Sequence, residues 1–347
     1  MRRITELDAL RGIAALAVVF YHYTTRYSEL FPDSHHSNLN FVLGHFGVNL
    51  FFIVSGFVIF MSIRNNSSSK DFVVKRAIRL YPAYIFAVIF TFICVMLYGL
   101  EERRVSMLEG VLNLTMFQGF IPGIDHVDGV YWTLVVELTF YAVITILIFT
   151  KLINKIETIA IIWLMFSAAI KTVNILVANN IVQLLDTYSI SSYAHLFIAG
   201  MMFYKIWQGA SKYHYFVLLS ALVYDYVFFD LANNLVTSVF FLLFMLMLNG
   251  NLAFLSVKPL LFLGTISYSL YLIHQNIGYI IIDFMYRHDL TSDFVLILPV
   301  GVSIMLSAIV TFYIEQPIQR YLSSKLKRQP LVTKKTVTEI KGKIPQL

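Results

Sequence analysis

Apolar segments long enough to cross a lipid bilayer recur along nearly the whole chain of 347 residues. A membrane-spanning helix needs about 20 mostly apolar residues, and windows of that kind predict about ten spans. The composition agrees, because 58% of the residues are hydrophobic and only 13% are charged, against about 25% in soluble domains. The sequence therefore predicts an all-α polytopic membrane protein. The predicted spans are 8–25, 45–63, 80–99, 130–150, 157–178, 193–209, 213–229, 234–250, 260–286 and 294–316.

The distribution of basic residues predicts how these spans are oriented. If the N-terminus is cytoplasmic and the spans alternate, all but five of the 26 Lys and Arg residues lie on the cytoplasmic side. Such an excess is the usual topology signal and predicts that both termini are cytoplasmic. No nucleic-acid partner is expected from the net charge of +6, because that would require a basic face on a soluble fold. The five exceptions are Arg26, Arg103, Arg104, Lys171 and Arg287.

Two segments lie outside the predicted spans. Residues 101–129 are too broken by polar residues to cross a bilayer, and we expect a loop that contains a short interfacial helix. Residues 321–347 are basic and weakly apolar, and we expect a disordered cytoplasmic tail near anionic lipid.

The first span carries two polar side chains that are costly in a bilayer, Arg11 and His22. They are eleven residues apart, so on an α-helix they project within about 20° of each other and are separated by a rise of about 16 Å. Arg11 would then lie near the cytoplasmic edge and His22 towards the outer one. The alternative is that Arg11 extends to the lipid headgroups while His22 is hydrogen-bonded to a neighbouring helix.

The fourth span carries Glu137, with Tyr141 one turn later on the same face. Counting from the predicted span boundaries, Glu137 and His22 reach similar depths in the outer half of the bilayer. A histidine paired with a carboxylate is a common arrangement for taking a proton from a hydroxyl group. The alternative is a structural glutamate bonded to unwound backbone.

Arg76 and Arg79 lie one turn apart at the cytoplasmic mouth of the third span. Paired guanidinium groups that keep their charge suit phosphate or pyrophosphate ligands. The alternative is ordinary positive-inside anchoring, which taken alone explains the pair better.

The ninth span contains His274 among so many polar residues that it cannot face lipid throughout. His274 either lines a cavity or bonds a partner helix. At the end of the last span, Glu315 is expected to face nearby arginines. The adjacent His35 and His36 have no carboxylates at metal-ligand spacing, and Cys94 is the single cysteine, so no metal is expected. No bound cofactor is expected either.

Five stretches of the chain follow one another in the order of a known family. They are LDALRGIAALAVVFYHY, GHFGVNLFFIVSGFVIF, KRAIRLYPAY, YWTLVVELTFY, and ISYSLYLIH together with IEQP. From Leu7 to Pro317 the chain resembles the membrane-bound acyltransferases of family 3, which O-acylate cell-surface carbohydrates. That family often has a pair of acids in the fourth stretch, whereas here Glu137 is followed by Leu138.

The resemblance implies a reaction. An acyl group, usually acetyl, would move from cytoplasmic acyl-coenzyme A, a co-substrate, to a hydroxyl of an extracytoplasmic glycan such as O-antigen or exopolysaccharide. Residues 1–320 would form the acyltransferase domain in a bacterial inner membrane. We assign His22 and Glu137 to catalysis. We assign the following residues to substrate binding: Arg11, Arg76, Arg79, Tyr141 and His274.

A membrane transporter is the principal alternative to the acyltransferase. The same charged residues could line the path of a sugar-containing lipid or a small anion. A transporter would require no thioester donor, so transfer of an acetyl label separates the two hypotheses.

Overall fold

The computed structural model describes residues 4–35, 37–63, 68–98, 100–177 and 180–328. Within these ranges every regular element of secondary structure is a helix, which confirms the predicted all-α class. The α-helices are α1 Thr5–Tyr21, α2 Tyr27–Leu30, α3 Gly47–Ile63, α4 Ser69–Tyr98, α5 Met107–Asn113, α6 Trp132–Phe149, α7 Ile156–Val177, α8 Asn180–Tyr188, α9 Ala194–Gln208, α10 Lys212–Phe228, α11 Leu231–Leu248, α12 Lys258–Arg287, α13 Ile297–Ile309 and α14 Gln316–Arg328.

Six helical segments of the described chain are long and apolar enough to cross a membrane. The helices α9 and α10 have only 15 and 17 residues, and α1 and α12 carry many of the polar side chains discussed below. The count of ten spans and the side on which the termini lie therefore stay predictions. The six segments are Val42–Ile63, Ser69–Tyr98, Gly129–Phe149, Leu152–Val177, Leu231–Leu248 and Asp293–Leu326.

The final helix extends into the segment predicted to be a disordered tail. Helix α14 continues through residue 328, so the first part of 321–347 is helical. Residues 329–347 lie outside the described part of the chain.

Glycines allow the central helices to approach closely. A Cβ atom on Gly264 of α12 would lie 2.0 Å from the backbone oxygen of Asp8 in α1, so no larger residue fits this crossing. The same holds at the α3–α9 crossing, where a Cβ on Gly200 would lie 2.0 Å from the backbone oxygen of Ile53. Small residues at helix contacts are typical of membrane bundles, where close packing holds the helices together.

The crossing of α1 with α12 sets which of their side chains meet. Asp8 lies beside Gly264, and farther along the same two helices His22 lies beside His274, so the helices run parallel. We call the end of the bundle at Arg79 and Glu315 the arginine end, and the end at His22 and His274 the histidine end.

Two π-helical segments interrupt the helices that surround the candidate site. The first, His22–Arg26, joins α1 to α2, and the second, Val310–Glu315, joins α13 to α14. A π-helical turn is rare and is frequently found at functional sites. Here one begins at His22 and the other ends at Glu315, so each shifts the register of its helix at a polar residue of the bundle interior.

The loop after α4 covers the histidine end, and it contains the short helix α5 where an interfacial helix was predicted. Ser106 and Glu109 form a capping box at the start of α5, and Glu109 also accepts from the backbone N–H of Asp125 at 3.1 Å. These hydrogen bonds, led by the Ser106 hydroxyl, hold the pKa of Glu109 below its usual value. Asn113, fully buried, bonds Asp125 and Val127 and so closes the loop on itself.

Candidate active site

Two cavities lie inside the bundle, one towards each end. The arginine cavity has a volume of about 140 Å³ and is lined by Arg11, Arg76, Arg79, Glu137 and Tyr141 among others. The histidine cavity is larger, about 460 Å³, and its lining includes His22, Arg26, Arg103, Trp132 and Gln275. Val48 and Tyr271 line both cavities and therefore form the partition between them.

Arg79 and Glu315 form an ion pair at the arginine end. An Nη atom of Arg79 lies 3.1 Å from a carboxylate oxygen of Glu315, which is only 2% exposed. Ser269 and Gln319 donate to the same carboxylate at 3.0 and 3.1 Å. The guanidinium also lies 5.8 Å from the ring centre of Tyr268. Glu315 therefore faces an arginine, as expected.

Arg76 lies against the aromatic wall of the arginine cavity. Its guanidinium is 6.0 Å from the ring centre of Tyr141 and 5.5 Å from that of Phe72, and its buried Nε has no hydrogen-bond partner. Tyr141 donates a short hydrogen bond to Glu137, and Ser55 donates a second one at 3.3 Å. Glu137 thus accepts hydrogen bonds from two hydroxyl groups. The unpartnered Nε–H of Arg76 is therefore left to donate to a ligand.

Arg11 lines the arginine cavity and His22 the histidine cavity, so both face the bundle interior along one side of α1. Arg11 interacts electrostatically with Arg79, Asp8, Glu315 and Glu137. Three guanidinium groups line this narrow cavity together with the carboxylate of Glu137. Such an excess of positive charge favours an anionic ligand.

His22 forms a hydrogen-bonded pair with His274. The Nδ1 atom of His22 lies 3.1 Å from Nε2 of His274 and 2.8 Å from the backbone oxygen of Val18. On its other side, Nδ1 of His274 lies 3.0 and 2.9 Å from the backbone oxygens of Leu270 and Tyr271. His274 is fully buried, whereas His22 is partly exposed to the histidine cavity.

These contacts assign the protons of both rings. Nδ1 of His274 faces two carbonyl oxygens, so it must carry the proton, and Nε2 of the neutral ring is then an acceptor. Nδ1 of His22 therefore faces two acceptors, Nε2 of His274 and the oxygen of Val18, and must carry a proton as well. The lone pair of His22 is left on Nε2, the nitrogen that a base would use.

The predicted pairing of His22 with Glu137 is wrong. Glu137 lines the arginine cavity and bonds Tyr141 and Ser55, whereas His22 lines the other cavity and bonds His274. The prediction rested on depths counted from span boundaries. In the structure Glu137 and His22 line different cavities, and Tyr271 forms part of the partition between them. Of the two alternatives considered for His274, the structure shows the bond to a partner helix, since His274 pairs with His22 and is not among the residues that line either cavity.

Polar residues that the sequence did not single out line the histidine cavity. Arg103, from the loop after α4, donates to Asn276 at 3.3 Å and interacts electrostatically with the buried carboxylate of Asp128. Burial raises the pKa of Asp128 to about 6, while Arg103 opposes that rise. Gln275 completes this wall of the cavity. One signal for these residues was present in the sequence: Gln275 and Asn276 follow His274 in a span that is too polar to face lipid throughout.

Aromatic and charged side chains line the opposite part of the histidine cavity. Trp132 and Tyr193 lie with their ring centres 5.6 Å apart, and Arg26 and Glu29 form an ion pair of 2.7 Å. Rings beside charged and amide groups match a ligand that has apolar C–H faces and a hydroxylated edge. Among the described residues, no three His, Cys, Asp or Glu side chains converge as metal ligands.

The fold and these cavities define an all-helical membrane protein with a hydrogen-bonded histidine pair at one end and an arginine-lined cavity at the other. A family model described as an acyltransferase domain matches residues 4–314. The chain therefore belongs to acyltransferase family 3, as the resemblance implied.

Similar proteins cover parts of the chain. It is 29% identical to the acyltransferase MdmB of Streptomyces mycarofaciens over 46% of this chain and 43% of that protein. It is 29% identical to nodulation protein 10 of Rhizobium leguminosarum bv. viciae over 41% of this chain and 44% of that protein. It is 32% identical to the exopolysaccharide production protein ExoZ of Rhizobium meliloti over 33% of this chain and 37% of that protein. Each of these three matches spans less than half of the relative's own length. No solved structure matches the chain.

Proposed function

We propose that the chain is an acyl-coenzyme A-dependent O-acyltransferase of the bacterial inner membrane, which moves an acetyl group to a hydroxyl of an extracytoplasmic glycan. Membership of acyltransferase family 3 supports the reaction class. The names of two relatives, an exopolysaccharide production protein and an acyltransferase, support a saccharide acceptor and acyl transfer. In this proposal the arginine end is cytoplasmic.

The observation that carries the proposal is the meeting of the two cavities at Tyr271 and Val48. An anion-binding cavity on one side and a histidine base on the other are what a charged donor and an uncharged acceptor require. The narrow arginine cavity suits a slender chain such as a pantetheine arm, whereas the wider cavity falls within the range of ligand pockets. The thioester would lie at the partition.

Arg76 and Arg79 hold the donor phosphates at the mouth of the arginine cavity, and Arg11 holds the arm farther in. Arg79 is already paired with Glu315, so Arg76, with its unpartnered Nε, supplies the freer donor. Tyr141 is held by Glu137, so Glu137 orients the wall along which the arm passes. Glu137 thus serves the donor and does not serve the histidine.

His22 acts as the base. Its Nε2 takes the proton of the acceptor hydroxyl as the hydroxyl oxygen attacks the thioester carbonyl carbon. When the tetrahedral intermediate collapses, the carbon–sulfur bond breaks and the leaving thiolate takes the proton back from Nε2. The products are the O-acetyl ester and free coenzyme A. The Nδ1–H of His22 bonds His274 and Val18 throughout, which keeps Nε2 directed at the cavity.

Membranes that contain the protein, given acetyl-labelled acetyl-coenzyme A and surface polysaccharide from a strain that lacks the gene, test the proposal. We expect label in the polysaccharide with the wild type and a loss of 10²–10⁴-fold with His22→Ala, the range for removing a general base. His45→Ala is the matched control, because His45 lines the same cavity and, in the described part of the chain, its ring bonds Val42 of its own helical turn. Full activity of a folded His22→Ala protein would overturn the mechanism. No protein-dependent transfer from any acyl-coenzyme A would overturn the function.

A further inference from the structure

The side chains of Arg103 and Gln275 meet beside Gly129 on one wall of the histidine cavity. A Cβ atom placed on Gly129 would lie 2.7 Å from Oε1 of Gln275 and 2.9 Å from an Nη atom of Arg103. All three residues line the cavity. A guanidinium donor and an amide oxygen are therefore directed at one small space.

Both side chains have hydrogen-bonding capacity left for a ligand. Gln275 is only 4% exposed, its amide nitrogen donates to Tyr279 at 3.3 Å, and its Oε1 has no partner. Buried polar atoms are nearly always paired in folded proteins, so an orphaned oxygen in a cavity wall indicates a missing ligand or water molecule. Arg103 is fixed through its Nε by Asn276, and one of its Nη atoms lies beside Gly129 in the cavity wall.

We propose that Arg103 and Gln275 form a subsite for a second hydroxyl of the saccharide acceptor. That hydroxyl donates its proton to Oε1 of Gln275 and accepts a hydrogen bond from Arg103. A hydroxyl group satisfies both at once, because it is a donor and an acceptor. This inference rests on the proposed function and adds which residues recognise the acceptor.

The position of the subsite makes it a determinant of regiochemistry. Gln275 follows His274, the partner of His22, and lies one turn beyond Tyr271 at the partition between the cavities. One turn of helix rises about 5.4 Å, about the width of a sugar ring. Anchoring one hydroxyl here therefore selects which other hydroxyl of the same ring reaches Nε2 of His22.

Gly129 keeps the space open. Any larger residue would place its Cβ within hydrogen-bonding distance of both polar groups and would displace the bound hydroxyl. The short helical turn that begins at Gly129 is capped by Asp128, whose carboxylate accepts from the N–H of Val130 at 3.2 Å. The buried carboxylate also neutralises Arg103 in part, so the subsite favours a neutral hydroxyl over an anionic group.

The test compares Arg103→Met and Gln275→Met with the wild type in the full-length protein. The probes are labelled acetyl-coenzyme A and the surface polysaccharide of a strain that lacks the gene. For each variant we expect a rise of about 10–100-fold in the KM for polysaccharide, as for the loss of a hydrogen bond to a charged or buried group. The KM for acetyl-coenzyme A should stay unchanged. The acetyl group should also spread to more than one ring position, as read by NMR of the product.

Arg104→Met is the matched control, because Arg104 is the neighbouring arginine, is 42% exposed and pairs with Glu101 outside the cavity. It should leave every measured quantity unchanged. If Arg103→Met and Gln275→Met keep the wild-type KM for polysaccharide and a single acetylated position, the subsite is wrong while the acyltransferase stands. If they raise the KM for acetyl-coenzyme A as strongly as the KM for polysaccharide, their role is structural, which also overturns the subsite. If the wild type transfers no label, both proposals fail.

Discussion

The hydrogen bond from His22 to His274 gives the most direct test of the candidate site. In the resting protein it joins two neutral rings at 3.1 Å, and it becomes charge-assisted once His22 takes a proton on Nε2. A neutral hydrogen bond contributes about 1 kcal/mol and one to a charged group about 1.5–3 kcal/mol. The difference of about 0.5–2 kcal/mol acts only in the transition state, and it corresponds to about 2–30-fold in kcat.

We therefore expect His274→Leu to lower kcat by that factor and to leave both KM values nearly unchanged. The loss is smaller than that of His22→Ala, because the oxygen of Val18 still accepts from Nδ1 of His22 at 2.8 Å. His274→Gln is the matched variant, since a glutamine amide oxygen reaches about as far as Nε2 of histidine. It should keep most of the activity by offering an acceptor in the same place.

The assay is transfer of labelled acetyl to polysaccharide at saturating concentrations of both substrates, with purified protein of equal thermal stability. Equal kcat values for the Leu and Gln variants would refute the reasoning, because the two differ in the acceptor that Nδ1 of His22 requires. A loss with both variants as large as that of His22→Ala would show instead that His274 performs chemistry itself.

Three further predictions concern packing, donor binding and the covering loop. Gly264→Ala should lower the melting temperature in detergent or abolish folding, since the new Cβ would lie 2.0 Å from a backbone oxygen of α1. Gly301→Ala is the control and should change the melting temperature little, because a Cβ there would meet no atom within 4 Å. Arg76→Ala should raise the KM for acetyl-coenzyme A by about 10–100-fold with kcat little changed, and Lys75→Ala, at an exposed position, should leave both alone. Because the folded pKa of Glu109 is lowered, its stabilisation of α5 is complete above its unfolded pKa of about 4.3 and is lost as the pH falls through the folded value. The hydrogen-exchange protection factors of α5, which correct for the intrinsic pH dependence of exchange, should therefore fall in acid. In Glu109→Gln they should be lower at neutral pH and should lack that acid dependence.

Much of the fold was predictable because the bilayer leaves few options for a chain so rich in apolar segments. Helical structure satisfies every backbone polar group within a segment, so the all-α class followed from composition and periodicity. The position of Arg11 and His22 on one interior side of α1 followed from helical geometry alone. The segment that contains α5 was identified as a loop because its polar residues exclude a membrane span.

The partner of His22 could not be predicted in the same way. His22 and His274 are 252 residues apart, and they meet because the crossing at Gly264 sets the register of α1 against α12. Periodicity within one helix carries no information about that register. Depth counted from span boundaries is uncertain by several residues, and this is enough to assign Glu137 to the wrong side of Tyr271. Arg103 was missed because a loop residue has no periodicity to place it.

A neutral partner for the base has a physical advantage in this setting. A carboxylate beside His22 would place a charge in a water-poor interior and would favour the protonated ring, which cannot act as a base. His274 instead offers a lone pair that is uncharged at rest and still accepts from the imidazolium formed during reaction. Under the proposed mechanism the proton taken from the acceptor returns to the leaving thiolate, so the charged state exists only between the two steps. The carboxylates Glu137 and Glu315 lie instead among the arginines, where their charge offsets positive charge that persists whether or not a donor is bound.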